Sequence, residues 1–285
     1  MTDMSGRVCF VTGSTHGIGL ATATALARAH ATVVVHGRDP SRVDEVSRAL
    51  RARTGNRQVS GLATDFSALA DVRRLAEELG ARHDRLHVLV NNAGAMTFPR
   101  RRTADGFEWH FGVNHLAPFL LTNLLLDRLK ASAPARIVTV ASSAHRRNPI
   151  RLDDLNFERD YEGLAAYGRS KFANILFTME LVRRLAGSNV TANAVHPGYV
   201  VTNLATAADL PRLGRWVMAV LKPLMLSPDQ GAAAPIYLAS SPEVAAVTGK
   251  YFVKCKEAAP DPRALDADLA RRLWERSAEL TGLAT

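Results

Sequence analysis

The sequence predicts one α/β domain, a single Rossmann-type doubly wound parallel sheet of about seven strands with helices on both faces. Three observations predict it. Short, β-branched, polar-poor runs alternate with stretches of helical periodicity from one end of the 285 residues to the other. The links between them are short, and no Gly/Ser/Pro-rich linker, repeat or low-complexity segment divides the chain. The strand-like runs are apolar throughout rather than alternating, as expected when helices cover both faces of a parallel sheet.

Taken in order, residues 7–12, 32–35, 59–63, 86–90, 135–141, 190–195 and 250–253 read as strands. Residues 18–29, 40–53, 69–82, 119–130 and 166–185 carry helical periodicity, and a further helix is expected from about Pro228. Asp39 before Pro40 is a helix-start signal, with the aspartate as N-cap and the proline in the first turn. In such sheets ligands bind beyond the carboxyl ends of the strands, so the residues just after each strand are the ones that matter.

Composition narrows the function classes. Apolar residues make up 47% of the chain and charged residues 22%, which suits one large core and argues against disorder. The balance of 36 basic to 27 acidic residues gives +9, yet the arginines are spread out, with no run beyond Arg100-Arg101-Arg102. Without a nucleic-acid motif, that charge predicts no nucleic-acid partner. Two cysteines, Cys9 and Cys255, make no disulfide framework. No signal-peptide pattern precedes the first strand and no apolar run reaches the ~18–20 residues of a membrane span, so a cytoplasmic protein is expected.

The first strand ends in Thr12-Gly13-Ser14-Thr15-His16-Gly17-Ile18-Gly19 and runs straight into an Ala-rich helix. Glycines there allow a tight turn, a close backbone approach to a pyrophosphate and close helix packing. The helix N-terminus adds free N–H groups and partial positive charge for phosphate. Gly13, Ser14, Thr15, His16, Gly17, Ile18 and Gly19 are therefore the expected dinucleotide loop. The second strand ends His36-Gly37-Arg38-Asp39. A carboxylate at that tip would suit a ribose 2′-hydroxyl, whereas Arg38 suits a 2′-phosphate, so NADP(H) is expected over NAD(H). Asp65 and Phe66 after the third strand are expected adenine contacts, with a helix cap the alternative for Asp65. After the fourth strand, Asn91-Asn92-Ala93-Gly94 places small residues beside a flat ligand, and Asn92, Ala93 and Gly94 are assigned to the cofactor.

Strand five leads into Ser142-Ser143, and a helix beyond carries Tyr167-Gly168-Arg169-Ser170-Lys171. Positions i and i+4 share a helix face, so the Lys171 ammonium is expected near the Tyr167 phenol. A phenol titrates near ~10, and a neighbouring cation would lower it toward the working range of an acid–base group. Ser143 is the expected donor to the substrate oxygen. Rival chemistries lack parts. The hydrolase elbow G-x-S-x-G has Thr15 in place of its serine, His83 and His87 have no third metal ligand, and His110 and His115 read as surface or capping residues.

Together these motifs resemble the short-chain dehydrogenase/reductase family over nearly the whole chain. The resemblance implies a catalytic tetrad of Asn114, Ser143, Tyr167 and Lys171, with Asn114 feeding a water relay to the lysine. It also implies that Pro197, Gly198, Val200 and Thr202, in Pro197-Gly198-Tyr199-Val200-Val201-Thr202, cover the nicotinamide. The segments Val140-Ala141-Ser142-Ser143-Ala144-His145, Ser170-Lys171-Phe172-Ala173-Asn174 and Ser227-Pro228-Asp229-Gln230-Gly231 are similar to the retinol dehydrogenase-like branch. That branch includes soluble microbial reductases of varied carbonyl compounds, and no membrane-anchoring N-terminus like that of many vertebrate members is recognised. The expected reaction is hydride transfer between NADP(H) and a bulky apolar carbonyl/alcohol pair. Reduction of a conjugated C=C bond and a non-catalytic NADP-binding redox regulator are the alternatives. Ser143, His145, Tyr167, Tyr199, Trp216 and Met225 are expected to face the substrate. Residues 203–226 are expected to form a lid, with core helices or a membrane-surface patch as the other readings. Family habit implies pairing of copies across the long helices, as a homodimer or homotetramer. No metal is expected.

Overall fold

The computed structural model describes residues 2–200 and 225–283. Its strands are β1 (Val8–Val11), β2 (Thr32–Gly37), β3 (Val59–Ala63), β4 (Val88–Asn91), β5 (Ala135–Val140), β6 (Val190–His196), β7 (Tyr251–Val253) and β8 (Lys256–Ala258). They form one sheet in the order β3-β2-β1-β4-β5-β6-β7-β8. Every pairing is parallel except the last, β7 with β8. The eighth strand exceeds the sequence expectation. Lys256-Glu257-Ala258 is too short and too polar to read as a strand, and it survives only by closing a hairpin at the sheet edge.

Alternation along β1 shows how the sheet divides its partners. Cys9 and Val11 point to one face, where they pack with Leu26 of α1 (Gly17–Arg28), Val43 and Leu50 of α2 (Pro40–Thr54), and Leu238. Phe10, paired with Val34 and Leu89, points to the other. There it meets Leu75 of α3 (Leu69–Arg82), then Leu120 and Phe177. Both faces are therefore dry, which is why the strands carry no polar alternation.

The chain winds outward from β1 to β3 and then returns to β4 beside β1. That reversal opens a crevice at the carboxyl ends of β1 and β4. After β4 come a short α4 (Trp109–Phe111), a π-helical turn (Gly112–Leu116) and α5 (Ala117–Ala131). The helices α6 (Gly163–Arg184) and α7 (Pro228–Ser240) flank β6 in sequence. Asp39 caps α2 by accepting from the Ser41 and Arg42 N–H groups, and Ser227 with Gln230 forms a capping box on α7.

The last helix, α8 (Ala267–Thr281), lies beyond the stretches that the periodicity predicts as helical, and it completes the core. Trp274 lies 4.9 Å from Phe119 and 5.7 Å from Phe177 between ring centroids, under the Arg184 guanidinium. It thus lies against α5 and α6. The outward face of α8 is a ladder of ion pairs joining Arg271 to Asp268 and Glu275, and Arg276 to Glu279. Among the described residues, no helix is long and apolar enough to cross a membrane.

Candidate active site

The loops after β1 and β4 are stitched together. Thr12 Oγ1 accepts the Asn92 and Ala93 N–H groups at 3.0 and 2.9 Å and donates to the Val90 carbonyl. Asn92 Nδ2 donates to the Thr12 and Gly13 carbonyls at 2.8 and 3.1 Å. Two glycines are obligatory here. Gly13 has φ +63°, and a Cβ on it would sit 2.7 Å from Ala93 Cα; one on Gly19 would sit 2.3 Å from the Gly13 carbonyl oxygen. Helix α1 begins with no side-chain cap and no acidic residue in its first turn, so its N–H groups remain available to an anion.

Below the loop, His36 Nδ1 accepts the Gly13 N–H at 3.1 Å, and its ring lies tilted against Phe66, 4.6 Å between centroids. The Phe66 side chain is buried in the core, which leaves its backbone for the expected adenine contact. Asp65 accepts the Ser67 N–H in the turn before α3, whose N-cap is Ala68, so it does not cap that helix. Arg38 is exposed at the tip of β2, while Asp39 is turned away to cap α2. After burial, the positive charges of Arg38 and Arg42 are what hold His16 below its usual imidazole range, so three basic side chains share this corner.

The α6 pair faces the same crevice. Tyr167 and Lys171 are both buried, and the Lys171 ammonium lies 5.6 Å from the centre of the Tyr167 ring. Lys171 Nζ donates to the Val140 carbonyl at 3.1 Å, in space that a Cβ on Gly94 would crowd to 3.3 Å. Burial pushes the ammonium down to about 8. It pushes the phenol up to about 12, against the lowering effect of a hydrogen bond with the Ser142 hydroxyl. Desolvation and the Ser142 hydrogen bond set the phenol, in place of the depression by Lys171 that the spacing predicts.

The serine beside the phenol is Ser142, not Ser143. Ser142 is extended (φ −158°), while Ser143 opens a 3-10 turn and turns its hydroxyl to Tyr199 Oη at 3.2 Å. His145 also departs from expectation. It is fully buried, its Nε2 accepting the Asp261 N–H at 3.0 Å and its Nδ1 paired with the Ser142 carbonyl at 2.6 Å. Since Nε2 accepts, Nδ1 carries the proton, and the ring is a strut behind Ser142 rather than a substrate contact.

Asn114 sits in the π-helical turn, and its amide is fully engaged. Oδ1 accepts the Ala95 N–H at 2.7 Å, and Nδ2 donates to the Ala95 carbonyl and to Ser170 Oγ. His110 and His115, expected at the surface or in caps, are both buried. Among the described residues no cluster of His, Cys, Asp and Glu could hold a metal.

Beyond β6, Gly198 takes φ +93°, and Val200 bridges Leu226 in parallel. A Cβ on Gly231 would meet both Val200 and Ile18, so this loop adjoins the glycine loop. Pro197 precedes it, Tyr199 is 72% exposed, and Met225 is half-buried. Thr202, Trp216 and most of the expected 203–226 lid lie outside the described residues.

The comparisons agree with this geometry. Residues 7–212 match the family model described as short chain dehydrogenase. Human (Homo sapiens) retinol dehydrogenase 14 is 45% identical over 98% of this chain and 88% of its own length. An uncharacterized protein of Mycobacterium paratuberculosis superposes with a TM-score of 0.81 at 36% identity, covering 99% of this chain and 96% of that one. A 3-oxoacyl (acyl-carrier-protein) reductase of Agrobacterium tumefaciens with NADP bound gives 0.70 at 25% identity, over 87% and 93%. The chain belongs to the short-chain dehydrogenase family of oxidoreductases, in its retinol dehydrogenase-like group.

Proposed function

We infer that the protein interconverts a bulky apolar aldehyde or ketone and its alcohol with NADP(H), reduction being the favoured direction. The observation that carries this reading is the Tyr167 hydroxyl, hydrogen-bonded to Ser142, on the helix whose Lys171 reaches Gly94 beside the glycine loop. Bound NADPH would supply the hydride. Tyr167, whose proton is retained across neutral pH by burial, donates that proton to the carbonyl oxygen as charge develops there. Ser142 holds the same oxygen against the phenol. Lys171, anchored by the Val140 carbonyl, has N–H groups left that would hold the nicotinamide ribose, and Asn114 fixes the Ala95 backbone. Residues Gly13 to Gly19, with Asn92, Ala93 and Gly94, would hold the dinucleotide; Pro197, Gly198, Val200 and Thr202 would close over its nicotinamide. The apolar substrate class is supported by exposed Leu164, one turn before Tyr167 on α6, by exposed Tyr199 against Ser143, and by relatives named for retinol.

NADP preference is supported by Arg38 at the β2 tip and by the diversion of Asp39 into a cap. One charge-assisted hydrogen bond contributes about 1.5–3 kcal/mol, roughly ten- to a hundredfold in affinity. Arg38→Ala should weaken NADPH by that factor and leave NADH nearly unchanged. Fluorescence titration of both cofactors against both proteins checks this; equal losses, or a wild-type preference for NADH, would remove the 2′-phosphate assignment.

A further inference from the structure

One buried charged group has no part in the reaction as written above. Glu108 and His110 are both shut off from solvent, 2% and 0% exposed, beside the catalytic helix. Burying a carboxylate is costly unless donors surround it, and here three do. Glu108 Oε2 accepts the Phe111 N–H at 2.8 Å, capping the short helix that leads into the Asn114 turn. Its Oε1 is 2.8 Å from His110 Nδ1 and accepts the Tyr161 hydroxyl at 3.3 Å. Burial pushes this carboxyl up, but the His110 and Phe111 donors outweigh it and keep the group below its usual range.

His110 passes that anchorage on. Its Nε2 accepts the Thr97 N–H at 3.0 Å, so Nδ1 holds the proton and donates to Glu108. Thr97 lies two residues beyond Ala95, which Asn114 already grips through both backbone groups. The loop from Ala95 to Phe98 is therefore pinned twice, once from the π-helical turn and once from His110. It rests directly on the start of α6, where a Cβ on Gly163 would sit 2.7 Å from Phe98 Cα and from the Thr97 carbonyl oxygen. The His110 ring also stands edge-on to the Tyr167 ring, 6.1 Å between centroids.

We propose that Glu108 and His110 are a buried positioning pair that fixes the 95–98 loop against Tyr167 and so sets where the carbonyl stands relative to the phenol. Neither side chain touches the reacting atoms. The pair also ties Tyr161, in the long spacer between the serine and the tyrosine, to the segment bearing Asn114. The proposal rests on the carbonyl-reductase reading for its catalytic half, and on geometry alone for the clamp.

The test uses the full chain, NADPH and a bulky apolar aldehyde, with hydrogen exchange over residues 95–98 as a readout that needs no substrate. His110→Phe keeps the ring volume but removes the acceptor for Thr97. Misplacement of a reacting group by about 1 Å costs roughly a hundredfold, so kcat should fall about ten- to a hundredfold. NADPH affinity should stay within about threefold, and the loop should exchange faster. His110→Gln, which retains an acceptor for the Thr97 N–H, should recover most of the rate and the protection. If His110→Phe does not fold, Glu108→Gln replaces it, with faster exchange and lower kcat expected in the same directions. Fast exchange with an unchanged kcat would overturn the positioning role, and unchanged exchange would overturn the clamp. A fall in kcat matched by lost NADPH affinity and not relieved by His110→Gln would mark a merely structural pair. Absence of any carbonyl reduction by the wild-type protein would contradict the proposed function instead, and the exchange result would still decide the clamp.

Discussion

Tyr167→Phe is expected to lose turnover by ~10²–10⁴-fold, the usual contribution of a positioned proton donor, while its fold and its affinity for NADPH stay close to wild type. The substitution removes one hydroxyl from a side chain that is otherwise packed, and the ring that fills the site remains. Stopped assays with NADPH and an apolar aldehyde, beside thermal melts and cofactor titration, separate the two effects. Retention of more than a tenth of the rate would mean that Tyr167 is not the acid. Lys171→Ala should instead weaken both turnover and NADPH binding, because its ammonium serves both the crevice and the ribose side. The same assignment gives a pH profile. Tyr167, pushed up to about 12, keeps its proton throughout the working range, whereas Lys171, pushed down to about 8, loses its charge as the pH rises past that value. Reductive kcat/KM should therefore hold below about pH 8 and decline above it; a rise through that region would show that the ammonium is not needed.

The second large effect separates two adjacent serines. Ser142→Ala should cost about 10²–10³-fold in kcat, as loss of a single donor to a developing oxyanion does. Ser143→Ala should change kcat little, because that hydroxyl is engaged by Tyr199 at 3.2 Å, while Ser142 holds the Tyr167 phenol. Steady-state kinetics on both variants decide the matter. The reverse pattern, with Ser143→Ala the damaged enzyme, would return the role to Ser143 and place the Ser142 contact outside the chemistry.

This pair also shows where sequence reasoning stops. Strand five and its two serines are legible from the β-branched run and the change to a turn, but choosing between neighbours depends on which residue is still extended. The glycine loop and the Tyr167/Lys171 spacing are local patterns, fixed by a turn's need for positive φ and a helix's four-residue repeat, so they read directly from the sequence. Long-range partners do not. His145 looks like a residue at the crevice until the Asp261 N–H arrives from the far end of the chain. His110 looks like a surface residue until Thr97 and Glu108 close around it. Helix α8 carries its apolar stripe plainly, but only the fold reveals that it covers α5 and α6. The phenol's upward shift was hidden for the same reason, since charge proximity can be read from spacing whereas burial cannot.

Isotope transfer decides whether the protein reduces a carbonyl with hydride from NADPH and a proton from Tyr167. The enzyme is incubated with NADPH deuterated at both positions of nicotinamide C4 and an α,β-unsaturated apolar aldehyde, and the product is read by mass spectrometry and NMR. The expected product is an allylic alcohol with one deuterium on the carbinol carbon and one equivalent of NADPH consumed, formed ~10²–10⁴-fold more slowly by Tyr167→Phe. A saturated aldehyde labelled at its β-carbon, or an alcohol without label at the carbinol carbon, would contradict this reaction.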